Sequence, residues 1–286
     1  MFRYRADLVP TLLLLSVFSV DVAVYLTVDA WWLLVPYGLL SLIPKAGACA
    51  FNHHHQHVST FTHWLPNRLL ELVYALTTGV SSQTWVLHHA LGHHLNYLDQ
   101  AKDESRWARD DGSRMGELEY SFVTTATSYW RAWQTGARFP KQRRLFLGMG
   151  LVSLAIAAGL IWYRPLPGLV VFFCVPLLAL FLTAMATWMH HSGRSTASHF
   201  VACNNILQPF YNRLTGNLGY HTAHHLKPGV HWSNLPALHA EIAAEIPADA
   251  FVEPGYPWRW FGESPRVTPA LPSPPPAPTG PQPAHR

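Results

Sequence analysis

Hydrophobic positions fall into four long runs separated by polar stretches, and these runs set the architecture. Residues 8–28, 30–50, 145–163 and 166–188 are almost wholly apolar. Each run is close to the ~20 residues that a helix rising about 1.5 Å per residue needs to cross about 30 Å of hydrocarbon. Asp21 breaks the first run, and the last two carry no charge. Trp31, Trp32, Trp162, Tyr163 and Trp188 stand at run ends, where amphipathic rings favour the membrane–water boundary. The runs pair through the short connections 28–31 and 163–167, which predicts two helical hairpins. Between the pairs, 67–86 is largely apolar with Glu71 inside it, and predicts a helix lying in or under the interface. Residues 117–137, amphipathic and rich in Trp, predict another.

Charge sets the orientation. Of 20 Lys and Arg, Arg164 alone lies in a hairpin connection, while the rest lie in the N-terminus, in 45–144 and in the C-terminal region. The positive-inside rule then places both termini and the central segment in the cytoplasm. A cleaved signal peptide fits 1–30 poorly: the apolar run is longer than an ordinary signal core and no small-x-small site closes it, so a signal anchor is expected. Residues 263–286 hold nine prolines without apolar periodicity and predict a disordered tail, leaving 1–262 as one membrane-bound domain. Asp21 is costly inside a span, and its place toward the outer half points to a structural role.

Composition excludes several classes. Charged residues are 13% of the chain, against roughly 25% in a soluble domain. The net charge of +4 comes without any nucleic-acid-reading motif, so no nucleic-acid partner is expected. Cys49, Cys174 and Cys203 lie far apart with no CxxC, which excludes a disulfide scaffold, a zinc ribbon and an iron–sulfur cluster held by four thiolates.

The excess is in histidine, with 18 in the chain. His53 and His57 are i and i+4; His89, His93 and His94 are i, i+4 and i+5; His221, His224 and His225 are i, i+3 and i+4. Residues three or four apart share a helix face, so each set can aim imidazoles at one point. Eight such ligands exceed what one tetrahedral ion takes, and two metal ions follow. In the topology above, every cluster lies on the cytoplasmic side. His54, His55, His63, His88, His231, His239 and His285 are expected to orient ligands, pack or face solvent. Asp99, Asp103 and Glu104 follow the second cluster; a solvated loop is the expectation for Asp103 and Glu104. Asn217, four before His221, is expected on the same helical face. Trp85, Trp130 and Trp133 are expected to anchor helices. A metal transporter would need polar ligands deep inside its spans, and the third and fourth spans have none.

HHHQH at 53–57, HALGHH at 89–94 and HTAHH at 221–225 resemble the HxxxH, HxxxHH and HxxHH boxes of membrane-bound fatty acid desaturases. The order of the boxes and the two-hairpin layout are similar too, as are His57-Val58-Ser59-Thr60-Phe61, His224-His225-Leu226-Lys227-Pro228 and Leu235-Pro236. The resemblance covers roughly 8–245 and implies an all-α integral membrane protein of four transmembrane helices in two hairpins, with a cytoplasmic helical cap holding the boxes. It implies that His53, His57, His89, His93, His94, His221, His224 and His225 ligate two iron ions (Fe2+/Fe3+) that activate O2. Some members add a histidine at the end of the fourth span, a place that His190 or His191 can fill; His190-x-x-Gly193 favours His190. Some relatives carry an Asn four residues earlier, where this chain has Ala186, so no water-mediated ligand is expected there.

The implied activity is O2-dependent desaturation of an acyl chain presented as a lipid, CoA or acyl carrier protein thioester. A lipid hydroxylase or acetylenase on the same scaffold is the alternative. No haem module, flavin fingerprint or ferredoxin cysteine set occurs in the sequence, so the expected electron donor is a separate ferredoxin or cytochrome meeting a basic cytoplasmic face.

Overall fold

The computed structural model describes residues 1–255 and 258–265. In chain order, α1 is Leu8–Thr27, α2 is Trp31–His57 and α3 is Trp64–Thr78. Ser82–Thr84 runs directly into a π-helix, Trp85–His93, and the two together form α4. Then come α5 (Glu117–Thr135), α6 (Pro140–Tyr163) and α7, a continuous span over Pro165–His191. Three short helices follow: α8 (Pro209–Thr215), α9 (His221–Leu226) and α10 (Leu235–Ile242). The described residues contain no strand, only isolated bridges such as that between Phe2 and Phe61. The proline-rich tail predicted over 263–286 lies outside the described residues from 266 onward.

Four helices are long and apolar enough to cross a membrane, and they carry the four apolar runs. Two of them outlast their runs. The apolar pattern of α2 ends near residue 50, yet the helix continues to His57; α7 likewise continues to His191. Histidine pairs at these ends therefore stand on rigid extensions of spanning helices instead of on loops. In α6, Phe146 alone is buried, so nearly its whole apolar surface faces outward. In α7, a π turn at Val170–Cys174 precedes Pro176, which has no N–H for the carbonyl four residues back.

Polar groups tie the spans together. On α1, Asp21 accepts a hydrogen bond from the Tyr37 hydroxyl of α2 at 2.7 Å and pairs with Lys45 Nζ at 2.8 Å. Both members of this ion pair have fully buried side chains. Counted as a cytoplasmic charge from sequence, Lys45 is in fact the partner of an intramembrane aspartate. Tyr25 of α1 donates to the Leu160 carbonyl of α6 at 2.8 Å, and Arg164 between α6 and α7 pairs with Asp29.

The single helix predicted over 67–86 divides at Gly79. That residue has φ 69°, and a Cβ there would sit 2.4 Å from the Pro176 carbonyl oxygen. Only glycine allows α3 to stop against α7 and the chain to turn into α4. Glu71, the acid inside the predicted helix, is buried and met by Arg68 at 2.7 Å and Gln83 at 3.4 Å.

Candidate metal centre

Four helices deliver the histidines. The end of α2 supplies His53 and His57; α4 and the residue after it supply His89, His93 and His94; α7 ends in His190 and His191; α9 supplies His221, His224 and His225. The π pitch of α4 matters here. His94 N–H bonds the His89 carbonyl five residues back, and that wide turn brings the two rings within 4.6 Å. On an α-helix, residues five apart diverge.

The imidazoles collect in two adjoining groups. His53, His57, His89, His94 and His224 form the first, with one ligand atom from each within 4.8 Å of every other. The Nε2 atoms of His53 and His224 lie 2.9 Å apart, those of His224 and His94 3.0 Å, and those of His94 and His89 3.0 Å. Around the second point stand His191, His221 and His225, with Cys203 close by. His93 joins them, its Nε2 being 3.2 Å from that of His191, which in turn lies 2.9 Å from that of His221. Consecutive pairs thus split between the groups: His94 and His224 in one, His93 and His225 in the other. The rings of His94 and His225 stack at 4.1 Å where the groups meet.

The outer nitrogens show what the inner ones present. His93 Nδ1 donates to the Asp103 carboxylate at 2.7 Å, His191 Nδ1 to the Ala202 carbonyl at 3.4 Å, and His221 Nδ1 to the Leu218 carbonyl at 3.3 Å. An imidazole with its proton on Nδ1 offers a lone pair at Nε2. Three lone pairs therefore face one another across about 3 Å, an arrangement that repels unless a cation sits among them. Burial, and then the neighbouring rings, hold His89, His94, His221, His224 and His225 well below the usual histidine pKa, so these are neutral donors. Neutral, converging imidazoles are the donor set that iron, zinc and copper take.

Sequence spacing favoured His190 as the additional ligand; the structure instead groups His191 with His221, His225 and Cys203 and leaves His190 outside both groups. Both nitrogens of His190 are in use: Nδ1 donates to the Asn204 carbonyl at 3.1 Å, and Nε2 accepts from the Tyr211 hydroxyl at 2.8 Å. Its ring stacks on His221 at 4.0 Å and so supports a ligand candidate instead of joining the group. Successive helical residues point about 100° apart. Only one of the two can face inward, and spacing does not say which.

Asp103 departs from its expected place. Expected in a solvated loop, it is buried and bonds His93 Nδ1 and the Ser105 N–H, each at 2.7 Å. Asp103→Asn replaces a carboxylate acceptor with an amide, and is expected to weaken metal binding or activity about 10- to 100-fold. Metal titration of the purified variant checks this, with Asp99→Asn as the control, since the Asp99 side chain is 43% exposed and paired to Lys102 at 2.6 Å. Asn217 does not share the His221 face. It has φ 62° ahead of α9, and its amide donates to the Trp232 carbonyl at 3.2 Å.

Among the histidines outside both groups, His54 Nε2 meets the Thr215 carbonyl at 3.0 Å and His55 Nδ1 meets Thr60 Oγ1 at 2.9 Å. His231 bonds Asp7 at 3.1 Å and locks the N-terminus to the C-terminal segment. Two further neighbours left no mark in the sequence pattern. The Tyr97 ring lies 4.3 Å from that of His225, with its hydroxyl hydrogen-bonded to His199. Cys203 Sγ is 4.0 Å from His191 Nδ1 and within 4.8 Å of a ring nitrogen of both His221 and His225, and burial pushes its thiol pKa up, keeping it neutral.

A cavity of about 400 Å³ opens from the histidines. Leu39, Ile43, Ala46 and Ala50 of α2 face Ala179, Leu182 and Ala186 of α7 across it, while His53, His89, His191 and His221 stand at its head. Trp85 lines it too, whereas Trp130 is exposed and Trp133 carries the Arg143 guanidinium 3.1 Å above its ring. Apolar side chains on facing stripes of these two helices leave a channel that reaches the histidine groups.

Residues 30–256 match the fatty acid desaturase family. No curated individual protein matches the chain. The matched stretch makes up most of the sequence and holds every histidine of both groups, so this chain is a member of the fatty acid desaturase family, a family of iron-using oxidoreductases.

Proposed function

We propose that this protein is a membrane-bound, O2-dependent desaturase that uses two irons to introduce a double bond into an acyl chain. The observation that carries the reading is the placement of two adjoining imidazole groups at the head of an apolar cavity between α2 and α7. His53, His57, His89, His94 and His224 would hold one iron, and His93, His191, His221 and His225 the other. When bound, the irons supply the redox chemistry that activates O2 toward an unactivated methylene.

The chain's own residues do the rest. The facing stripes of α2 and α7 bind the alkyl chain by apolar burial and lead it to the histidines. Asp103, and the Ala202 and Leu218 carbonyls, fix ring tautomers so that Nε2 stays free. Trp85 and the alkyl chain itself keep bulk water away from the reacting carbons. In this reading α1–α2 and α6–α7 are two hairpins, and the charge distribution puts the histidines and both termini on the cytoplasmic side. There a separate ferredoxin or cytochrome supplies electrons, and the acyl chain arrives as a lipid, CoA or carrier-protein thioester.

Iron-loaded protein in membranes, given acyl substrates, O2 and a reducing partner, is expected to yield a product lighter by two hydrogens, and His93→Ala is expected to yield none. Mass spectrometry of the products decides. A product heavier by one oxygen would make the protein a hydroxylase, and zinc bound in place of iron with no O2-dependent product would overturn the reading.

A further inference from the structure

Beyond α10 the chain returns to the apolar cavity. Trp258-Arg259-Trp260-Phe261 forms one 3₁₀ turn, and Trp258, Trp260 and Phe261 all line the cavity between α2 and α7. The family match ends at residue 256, so this turn lies just past it. Two features hold it in place. The side-chain amide of Gln208, a buried residue at the start of α8, donates to the Trp258 and Gly262 carbonyls, each at 3.2 Å. On α8 itself, Phe210 stacks on Phe261 at 4.1 Å and Tyr211 meets Trp258 edge-on at 5.2 Å. These contacts put the turn at the histidine end of the cavity, because Tyr211 bonds His190 and His190 stacks on His221. The opposite end lies along α2, where Leu39 is 14 residues before His53, or about 21 Å along the helix. The turn is also a thin wall: Trp260 is 74% exposed and Phe261 46%, although both line the cavity.

We propose that this aromatic turn is part of the acyl-binding site, the wall against which the carboxyl-side methylenes pack between the histidines and the surface. The inference rests on the desaturase reading, which puts an acyl chain in the cavity. With the methyl end between α2 and α7, the rest of the chain has to leave past the histidines, and the turn flanks that exit. Aromatic rings offer it large apolar area, and Gln208 and α8 fix their position. A wall so fixed sets how far the reacting methylene stands from the carboxyl group, so the turn governs position of attack as well as affinity.

Photolabelling of the full-length, iron-loaded protein in nanodiscs tests this with two probes. Each is a long-chain fatty acid, used free and as its CoA thioester, with a diazirine near the carboxyl end in one and at the methyl end in the other. The first is expected to label the peptide holding 258–261, and the second the stretches of α2 and α7 around Leu39 and Ala179. Label from the first confined to α2 and α7, or no label in the cavity from either, would overturn the proposal. In Trp260→Ala/Phe261→Ala, the Kd read from competition by unlabelled fatty acid is expected to rise about tenfold, the equivalent of burying about two methylenes. Iron per chain should stay at the wild-type level, and Trp260→Phe/Phe261→Tyr should restore the affinity. Iron lost together with affinity would make the turn a structural strap and overturn the proposal. The expected labelling in a protein that forms no O2-dependent product would uphold the wall and sink the desaturase reading alone.

Discussion

If the two histidine groups hold two irons as proposed, replacing His191 with alanine is expected to remove one of them and abolish turnover, while replacing His190 is expected to do neither. The two residues are adjacent at the end of α7 and both buried, so composition and exposure do not separate them. Their hydrogen bonds do. His191 turns Nε2 toward those of His93 and His221, at 3.2 and 2.9 Å, whereas His190 has Nε2 committed to Tyr211. His190→Ala removes a stacking support from His221 and should cost no more than about 10-fold in activity, the lower end for residues that orient ligands. Iron per chain, measured by elemental analysis on both variants beside a product assay, tests the pair. Equal metal content in the two, or loss confined to His190→Ala, would reverse the assignment.

Neutralising either Asp21 or Lys45 is expected to destabilise the protein by about 3–5 kcal/mol, the cost of leaving one charge of a buried pair without its partner. Neither side chain has any exposure, and their 2.8 Å contact joins α1 to α2 within the span. The double variant Asp21→Leu/Lys45→Met is expected to recover most of the loss, because apolar residues of similar volume remove both desolvation penalties at once. Thermal unfolding in micelles measures all three. A double variant that loses the sum of the two single losses would show that the two charges act independently. The pair also bears on the site: Lys45 lies eight residues before His53 on one helix, about 12 Å along its axis. Each single variant should therefore also bind iron less tightly, as the register of α2 against α1 loosens.

Spans, box spacing and family were all open to sequence reading because each rests on local periodicity. An apolar run of about twenty residues has few other uses, and histidines three to five apart on a helix share a side. Glu71 and Asp21 also announced themselves, as charges inside apolar runs. The lateral partners of these elements were hidden. Lys45 was counted with the cytoplasmic charges because nothing nearby in sequence reveals that Asp21, 24 positions earlier on another helix, lies opposite it. Asp103 looked solvated because its neighbours Lys102 and Glu104 are charged; its burial against His93 depends on how the segment after α4 folds back.

By itself, then, the sequence determined which segments are helical and apolar enough to span, how many imidazoles are offered, and from which helix faces they come. Those properties follow from side-chain order along single helices. Tertiary structure alone decided how the imidazoles divide between two points, that His191 and not His190 turns inward, that α4 widens into a π-helix to bring His89 beside His94, and that apolar residues on α2 and α7 face one another to leave a channel. Each of these depends on the relative rotation and depth of helices distant in sequence. Packing and buried hydrogen bonds set that rotation, and no local pattern encodes it.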